Sequence, residues 1–137
     1  MEEALMINGS CLCGAVAFEI SGRPRSLSYC HCSRCRKAEG VFAAVLIGAA
    51  EDFHLIRGAE QIARILPQEP WTHARAFCRA CGSALGELQS GAIYVVAASA
   101  LDDDPGLRPT AHLNVASKPA WYEIDDDLKK FDGNYTP

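Results

Sequence analysis

The chain contains seven cysteines in three short clusters, a spacing that is typical of zinc ligands. Four thiolates complete a tetrahedral zinc site, so seven divide into a closed site of four and a site of three with a vacant position. A substrate can bind at a vacant position, and the group of three is therefore the candidate for catalysis. The three clusters are Cys11 and Cys13, then Cys30, Cys32 and Cys35, and finally Cys78 and Cys81.

The two outer pairs suit a closed, structural site. Residues i and i+2 of a strand point the same way, so Cys11 and Cys13 can present both sulfurs on one face. Cys78 and Cys81 precede Gly82, which permits the tight turn that a C-x-x-C pair makes around a metal ion. We therefore predict that these four cysteines hold a structural Zn²⁺ that links two distant parts of the chain.

The middle cluster brings Cys30, Cys32 and Cys35 together within six residues and leaves one zinc position open. Two alternatives remain: another partition of the cysteines that leaves spare thiols, or a second closed site completed by His31. A residue between ligands spaced i and i+2 normally points to the opposite side, which argues against His31 as a ligand. We predict that the three cysteines hold a second, catalytic Zn²⁺.

The charge of the three-cysteine site indicates which chemistry it supports. Three thiolates and Zn²⁺ sum to one negative charge, which disfavours ionising a bound water, whereas three neutral imidazoles would leave two positive charges. The site instead suits a fourth sulfur, because a zinc-held thiolate remains nucleophilic.

Arg34, Arg36 and Lys37 could offset the negative charge or hold a substrate carboxylate, or they could form a solvated basic turn. His112 could carry protons at the open site, but nothing near it in the sequence orients it, so we assign it no role.

Short strands must position these cysteines. Residues 15–20 alternate apolar with small or polar side chains at the period of a strand. Six further segments of strand length, separated by glycine, proline and acidic residues, are 41–47, 53–56, 61–66, 72–77, 83–88 and 92–98. Residues 33–40 predict one short helix that ends at Gly40. We therefore predict a single, mainly β domain over residues 1–137.

Composition narrows the classes of function. The formal charge of -4 and the pI near 5.5 disfavour a nucleic-acid or anionic-membrane surface, because phosphate binding needs clustered lysine and arginine. The longest apolar runs fall far short of the roughly 20 residues that span a bilayer. The acidic start, residues 1–5, does not resemble a signal peptide, so we expect a cytoplasmic protein whose cysteines stay reduced.

Three ordered motifs resemble those of a known family. They are GSCLCG at residues 9–14, YCHCSRCRK at residues 29–37 and FCRACGS at residues 77–83. With PAW at residues 119–121 and the acidic run at residues 125–127, they make the chain similar to the glutathione-dependent formaldehyde-activating enzyme family, which includes the centromere protein V domain. The resemblance implies an Mss4-like fold of antiparallel sheets with two zinc sites. It also implies the same division into four structural and three catalytic ligands.

The resemblance implies a reaction as well. That reaction is the addition of the glutathione thiol to formaldehyde, giving S-hydroxymethylglutathione, which is formally a carbon-sulfur lyase reaction run in reverse. We therefore expect a zinc-dependent enzyme that joins a small thiol to a small aldehyde. The competing hypothesis is a non-catalytic zinc-binding module of the same fold, with two structural ions and an acidic surface that docks a protein partner.

Overall fold

The computed structural model describes residues 6–134, which form eleven strands and one α-helix; the acidic start at residues 1–5 lies outside this part. The smaller of two sheets consists, in order across it, of β1 (Met6–Ser10), β2 (Ala17–Ser21) and β5 (Phe53–Arg57). The larger sheet contains β3 (Ser26–Cys30), β4 (Ala43–Ala49), β6 (Ile62–Ile65), β7 (Arg75–Cys78), β8 (Ala84–Ser90), β9 (Ile93–Ala97), β10 (Ala111–Leu113) and β11 (Lys129–Lys130). Its strands lie in the order β11-β10-β3-β4-β9-β8-β7-β6.

The predicted mainly β architecture of antiparallel sheets is confirmed, with one local exception: β10 pairs in parallel with both β3 and β11. Each predicted strand overlaps an observed one, although the segment predicted at residues 72–77 begins only at Arg75. The prediction missed β1 and β3, together with the short β10 and β11. Asn8 and Gly9 are poor strand formers, so β1 depends on pairing with β2, where a Cβ on Gly9 would lie 2.1 Å from the Phe18 ring.

The predicted short helix is confirmed as α1 (Ser33–Glu39), between β3 and β4. Cys32 is its N-cap, and the Cys35 N–H donates to the Cys32 sulfur at 3.2 Å. Gly40 ends the helix with φ 123° and donates its N–H to the Arg36 carbonyl at 2.9 Å. The helix is therefore held in place at the end that carries two of the middle cysteines.

The main core lies between the two sheets and includes two of the outer cysteines, Cys11 and Cys78. Its largest fully buried side chains come from both sheets and include Ile7, Phe18, Ile20, Leu46, Leu85, Tyr94 and Val96. A second, smaller cluster contains Cys30 and Cys35 with Ala43. The outer and middle cysteines are thus packed in different parts of the molecule. Within residues 6–134, no helix has the length and apolar character needed to cross a membrane.

Candidate functional site

The four outer cysteines form one group. Their ligand atoms all lie within 4.8 Å of one another, as the sequence predicts. The Cys13 sulfur is 3.6 Å from the Cys11 sulfur and 3.8 Å from the Cys78 sulfur. A tetrahedral ion with zinc-sulfur bonds of about 2.3 Å requires sulfurs about 3.8 Å apart. The two distances from Cys13 therefore suit a tetrahedral Zn²⁺, and Cys81 completes the set of four ligands.

Tight turns present both outer pairs. The Gly14 N–H donates to the Cys11 carbonyl at 3.1 Å, and the Gly82 N–H donates to the Cys78 carbonyl at 2.7 Å. Gly14 and Gly82 have φ values of 80° and 79°, which glycine adopts without strain. The strand expected for the first pair is therefore wrong: the chain leaves β1 and turns, with Leu12 directed into solvent. The two halves of this group are similar turns supplied from opposite sides of the core.

Hydrogen bonds favour thiolate character in the four-cysteine group. The Val16 N–H donates to the Cys11 sulfur at 3.3 Å, and the Ser83 hydroxyl lies 3.2 Å from the Cys81 sulfur. The contact with Ser83 is the main reason that the pKa of Cys81 is lowered to about 5. A backbone hydrogen bond favours the Cys13 thiolate, but the neighbouring sulfurs outweigh it and raise the pKa of Cys13 to about 11. Sulfurs this close share protons, and a dication can take the place of those protons.

The three middle cysteines form a second group, again with ligand atoms within 4.8 Å of one another. Cys30 is the last residue of β3, Cys32 caps α1 and Cys35 lies in the first turn of that helix. Cys30 and Cys35 are 8% and 6% exposed. The sequence prediction that these three residues come together is therefore confirmed, and their donor set suits Zn²⁺ with one position left for another ligand.

The three sulfurs of the middle group shift one another's pKa values in opposite directions. Hydrogen bonds from Cys30 and Cys35, with a contribution from Arg75, lower the pKa of Cys32 to about 2. The same contacts act in the other direction on Cys35, whose pKa is raised by Cys30, by Cys32 and by burial. The Asn114 side-chain N–H donates to the Cys30 sulfur at 3.2 Å. The three sulfurs therefore share their protons, and a dication can take the place of those protons.

Arg75 supplies the positive charge beside this group. Its Nη1 and Nη2 lie 3.5 and 3.4 Å from the Cys35 sulfur, and Nη1 is also 4.0 Å from the Glu39 carboxylate. The sequence pointed instead to Arg34, Arg36 and Lys37. Arg34 stacks its guanidinium 4.5 Å from the centre of the Trp71 ring. One sequence feature bears on the position of Arg75. Side chains alternate along β7, so Arg75 faces the side of the strand opposite Cys78.

A cavity of about 480 Å³ opens beside the middle group. All three cysteines line it, and Arg75, Trp71 and the carboxylates Glu39 and Glu87 also contribute to its walls. A smaller cavity of about 310 Å³ lies between α1 and the β7-β8 hairpin. Arg75 and Glu39 line both spaces, so this pair stands between them. The larger cavity has the size of a small-molecule site and three sulfurs in its wall.

His31 points away from the sulfurs, which agrees with the expectation that it is not a ligand. It is fully buried, and its Nε2 lies 2.8 Å from Nδ1 of His112. Nε2 of His112 donates to the Asp126 carboxylate at 2.9 Å. His112 therefore has an orienting partner that the sequence reasoning did not find, fourteen residues farther along the chain. Neither histidine is among the residues that line the two cavities, so His112 keeps no role at the site.

Comparison with known proteins agrees with these observations. Residues 6–117 match the family model described as glutathione-dependent formaldehyde-activating enzyme. A protein of Halomonas elongata whose name provisionally gives it that activity is 34% identical over 129 residues, which cover 88% of this chain and 82% of the relative. The crystal structure of a Rhodobacter sphaeroides protein, a structural genomics target, is similar with a TM-score of 0.56 and 29% identity. That match covers 74% of this chain and 91% of the other.

Proposed function

Because the chain belongs to the glutathione-dependent formaldehyde-activating enzyme family, we propose that it is a zinc-dependent enzyme that adds a small thiol to a small aldehyde. Glutathione and formaldehyde are the leading pair. The observation that carries the proposal is the position of Cys30, Cys32 and Cys35 in the wall of a cavity of about 480 Å³. Three sulfurs and adjacent space suit a site that holds a metal ion and a substrate together.

The two cysteine groups have different roles in this proposal. Cys11, Cys13, Cys78 and Cys81 hold a structural Zn²⁺, while Cys30, Cys32 and Cys35 hold the catalytic one. Zinc in the second group supplies an open position at which a substrate thiol is acidified and oriented. Arg75 is placed to offset part of the negative charge that accumulates when a fourth sulfur enters, since its guanidinium already contacts Cys35.

The reaction forms one carbon-sulfur bond and breaks no carbon-carbon bond. The substrate sulfur attacks the carbonyl carbon, the carbon-oxygen double bond becomes a single bond, and the oxygen gains the proton that the thiol lost. Read in the other direction, the same reaction cleaves a carbon-sulfur bond, which makes the enzyme a lyase of the S-(hydroxymethyl)glutathione synthase type.

The seven free thiols also support operation in a reducing compartment, and we propose the cytoplasm. We further propose that residues 1–137 act as a single domain, since the family match spans both cysteine groups.

Exchange spectroscopy of formaldehyde and glutathione tests the reaction directly. Wild-type protein is expected to raise the exchange rate above the spontaneous rate, and the Cys32→Ser variant is expected to leave it at the spontaneous rate. Zinc counting on the same samples should give two ions per chain for the wild type and one for the variant. A wild-type protein that binds two ions and leaves the exchange rate unchanged would favour the competing hypothesis of a protein-docking module.

A further inference from the structure

Glu39 is a buried carboxylate at the edge of the proposed active site. It is the last residue of α1, and its side chain is 7% exposed. It lines both cavities, and the partner that the described residues give it is Arg75, at 4.0 Å. A negative charge is unfavourable at the C-terminal end of a helix, where backbone carbonyls already concentrate negative potential. Residues that break such a local rule are often functional.

Glu87, the other carboxylate in the wall of the larger cavity, has a different environment. One of its oxygens is 3.0 Å from Nδ1 of His73, and the other accepts the Ala74 N–H at 3.0 Å. Both oxygens of Glu87 are thus engaged in short hydrogen bonds that hold it in place. Among the described residues, the polar contact of Glu39 is the longer one with Arg75, at 4.0 Å. Glu39 is therefore the carboxyl group in this cavity that is free to exchange a proton with a ligand.

The surroundings of Glu39 favour proton exchange near neutral pH. Burial raises the pKa of Glu39 to about 7; the positive charge of Arg75 opposes this shift, and the Cys32 thiolate adds to it. Arg34 and Lys37, from the same helix, are the other charged side chains around the smaller cavity. Arginine does not release its proton in proteins, so Arg75 can position Glu39 but cannot replace it in proton transfer.

We propose that Glu39 is the general acid-base of this site, taking the proton of the incoming thiol and returning it to the aldehyde oxygen. This inference rests on the proposed thiol addition. The S–H bond breaks as the Glu39 carboxylate accepts the proton, and the carbon-sulfur bond forms as the carbonyl π electrons move to oxygen. The carboxylic acid then protonates that oxygen and becomes a carboxylate again. Atoms and electrons balance without another reactant, because one group stores the proton between the two steps.

Arg75 holds the carboxyl group of Glu39 near the sulfurs. One guanidinium contacts the Cys35 sulfur through two nitrogens and the Glu39 carboxylate through one of the same nitrogens. The pair His73 and Glu87 is the competing proton carrier in the larger cavity. The His73 side chain is 67% exposed, so it exchanges protons with bulk water and offers no protected store for the substrate proton.

The test compares Glu39→Gln with Glu87→Gln in zinc-loaded protein. Glutamine keeps the size of the side chain and removes proton exchange. Glu39→Gln should lower kcat for the addition of glutathione to formaldehyde by about 100-fold, with zinc content unchanged. Glu87→Gln should lower kcat less than Glu39→Gln does, since it alters the His73 pair and leaves Glu39 intact.

A second measurement does not depend on turnover. Glutathione binding is followed by calorimetry at pH 7 in two buffers of different ionisation enthalpy, which gives the number of protons released. Wild-type protein should release fewer protons per bound thiol than Glu39→Gln, because Glu39 retains part of what the thiol loses.

The possible outcomes separate this inference from the proposed function. An active wild type with an equally active Glu39→Gln variant, or equal proton release by both, would overturn the role of Glu39 alone. A larger loss in Glu87→Gln than in Glu39→Gln would assign proton transfer to the His73 pair. A wild-type protein that binds glutathione without accelerating the reaction would overturn the proposed function, and the assigned acid-base role with it.

Discussion

The two cysteine groups share one ligand chemistry and differ in everything around it. The group of four joins turns that lie 65 residues apart, and two of its members belong to the main core. The group of three comes from one short segment, packs in a separate cluster and borders a cavity that contains Arg75 and Glu39. The ligand set alone does not separate a structural from a catalytic site. The neighbouring charges and the open space beside the second group are the reason that we propose a catalytic role for it.

The largest difference between the groups should appear when each loses a sulfur. Cys78→Ser removes a fully buried ligand from the group that joins the two sides of the core. Structural zinc contributes on the order of 10 kcal/mol to folding, which is comparable to the whole stability of a single domain. We expect this variant to lack a cooperative thermal transition in circular dichroism. A folded Cys78→Ser protein that still binds one zinc would contradict the structural assignment.

Cys32→Ser should spare the fold and abolish activity. Serine is itself a preferred N-cap, so the variant can still accept the Cys35 N–H that starts α1. The free energy of unfolding should fall by no more than about 2 kcal/mol, whereas thiol addition should drop to the spontaneous rate. Far-UV circular dichroism and exchange spectroscopy on one sample check both points. Unfolding as complete as that of Cys78→Ser would make both groups structural.

Arg75→Gln should weaken the second metal site and leave the first intact. Residues that hydrogen-bond to a metal ligand typically change affinity by about 10- to 100-fold when they are replaced. We expect a loss in that range for the more easily removed zinc, measured by competition with a chromophoric chelator. Arg75→Lys keeps the charge but not the two-nitrogen contact with Cys35, so it should recover only part of the loss. Equal weakening of both ions would show that Arg75 supports the fold generally.

The smallest expected effect is a pH dependence of stability that belongs to the second group. The pKa of Glu39 is raised from 4.5 to about 7, so the folded protein holds this proton more tightly than the unfolded chain. Stability associated with Glu39 is therefore present below pH 4.5 and is lost as the pH rises through about 7. Relative to wild type, Glu39→Gln should gain on the order of 2 kcal/mol between pH 5 and pH 8, measured by urea unfolding.

The exposed Glu51 offers a matched control for that measurement. Glu51→Gln should track the wild type within about 0.5 kcal/mol at each pH, since surface substitutions rarely change stability by more. A Glu39→Gln protein whose stability parallels that of wild type at every pH would mean that burial does not act on the carboxyl as described.

The sequence was informative where the signal is local. Alternation at residues 15–20 and segments of strand length between glycine, proline and acidic residues predicted most strands, and the cysteine spacing predicted both groups. β1 and β3 were missed because their residues form strands only through their partners, as the approach of Gly9 to Phe18 illustrates. Arg75 and Glu39 were missed for a related reason. Arg75 is 40 residues from Cys35 in the chain, and only the tertiary fold brings that charge to the sulfur.

The different spacing of the two groups also sets an order for folding. Closing a chain segment costs entropy that rises by about 0.6 kcal/mol for each doubling of its length, so joining Cys13 to Cys78 costs about 2 kcal/mol more than joining Cys30 to Cys35. The middle group can collect an ion while most of the chain is still unfolded. The outer group can do so only after the chain that follows β1 has reached β7. We therefore expect the ion proposed for catalysis to bind early in folding and the ion proposed as structural to bind late.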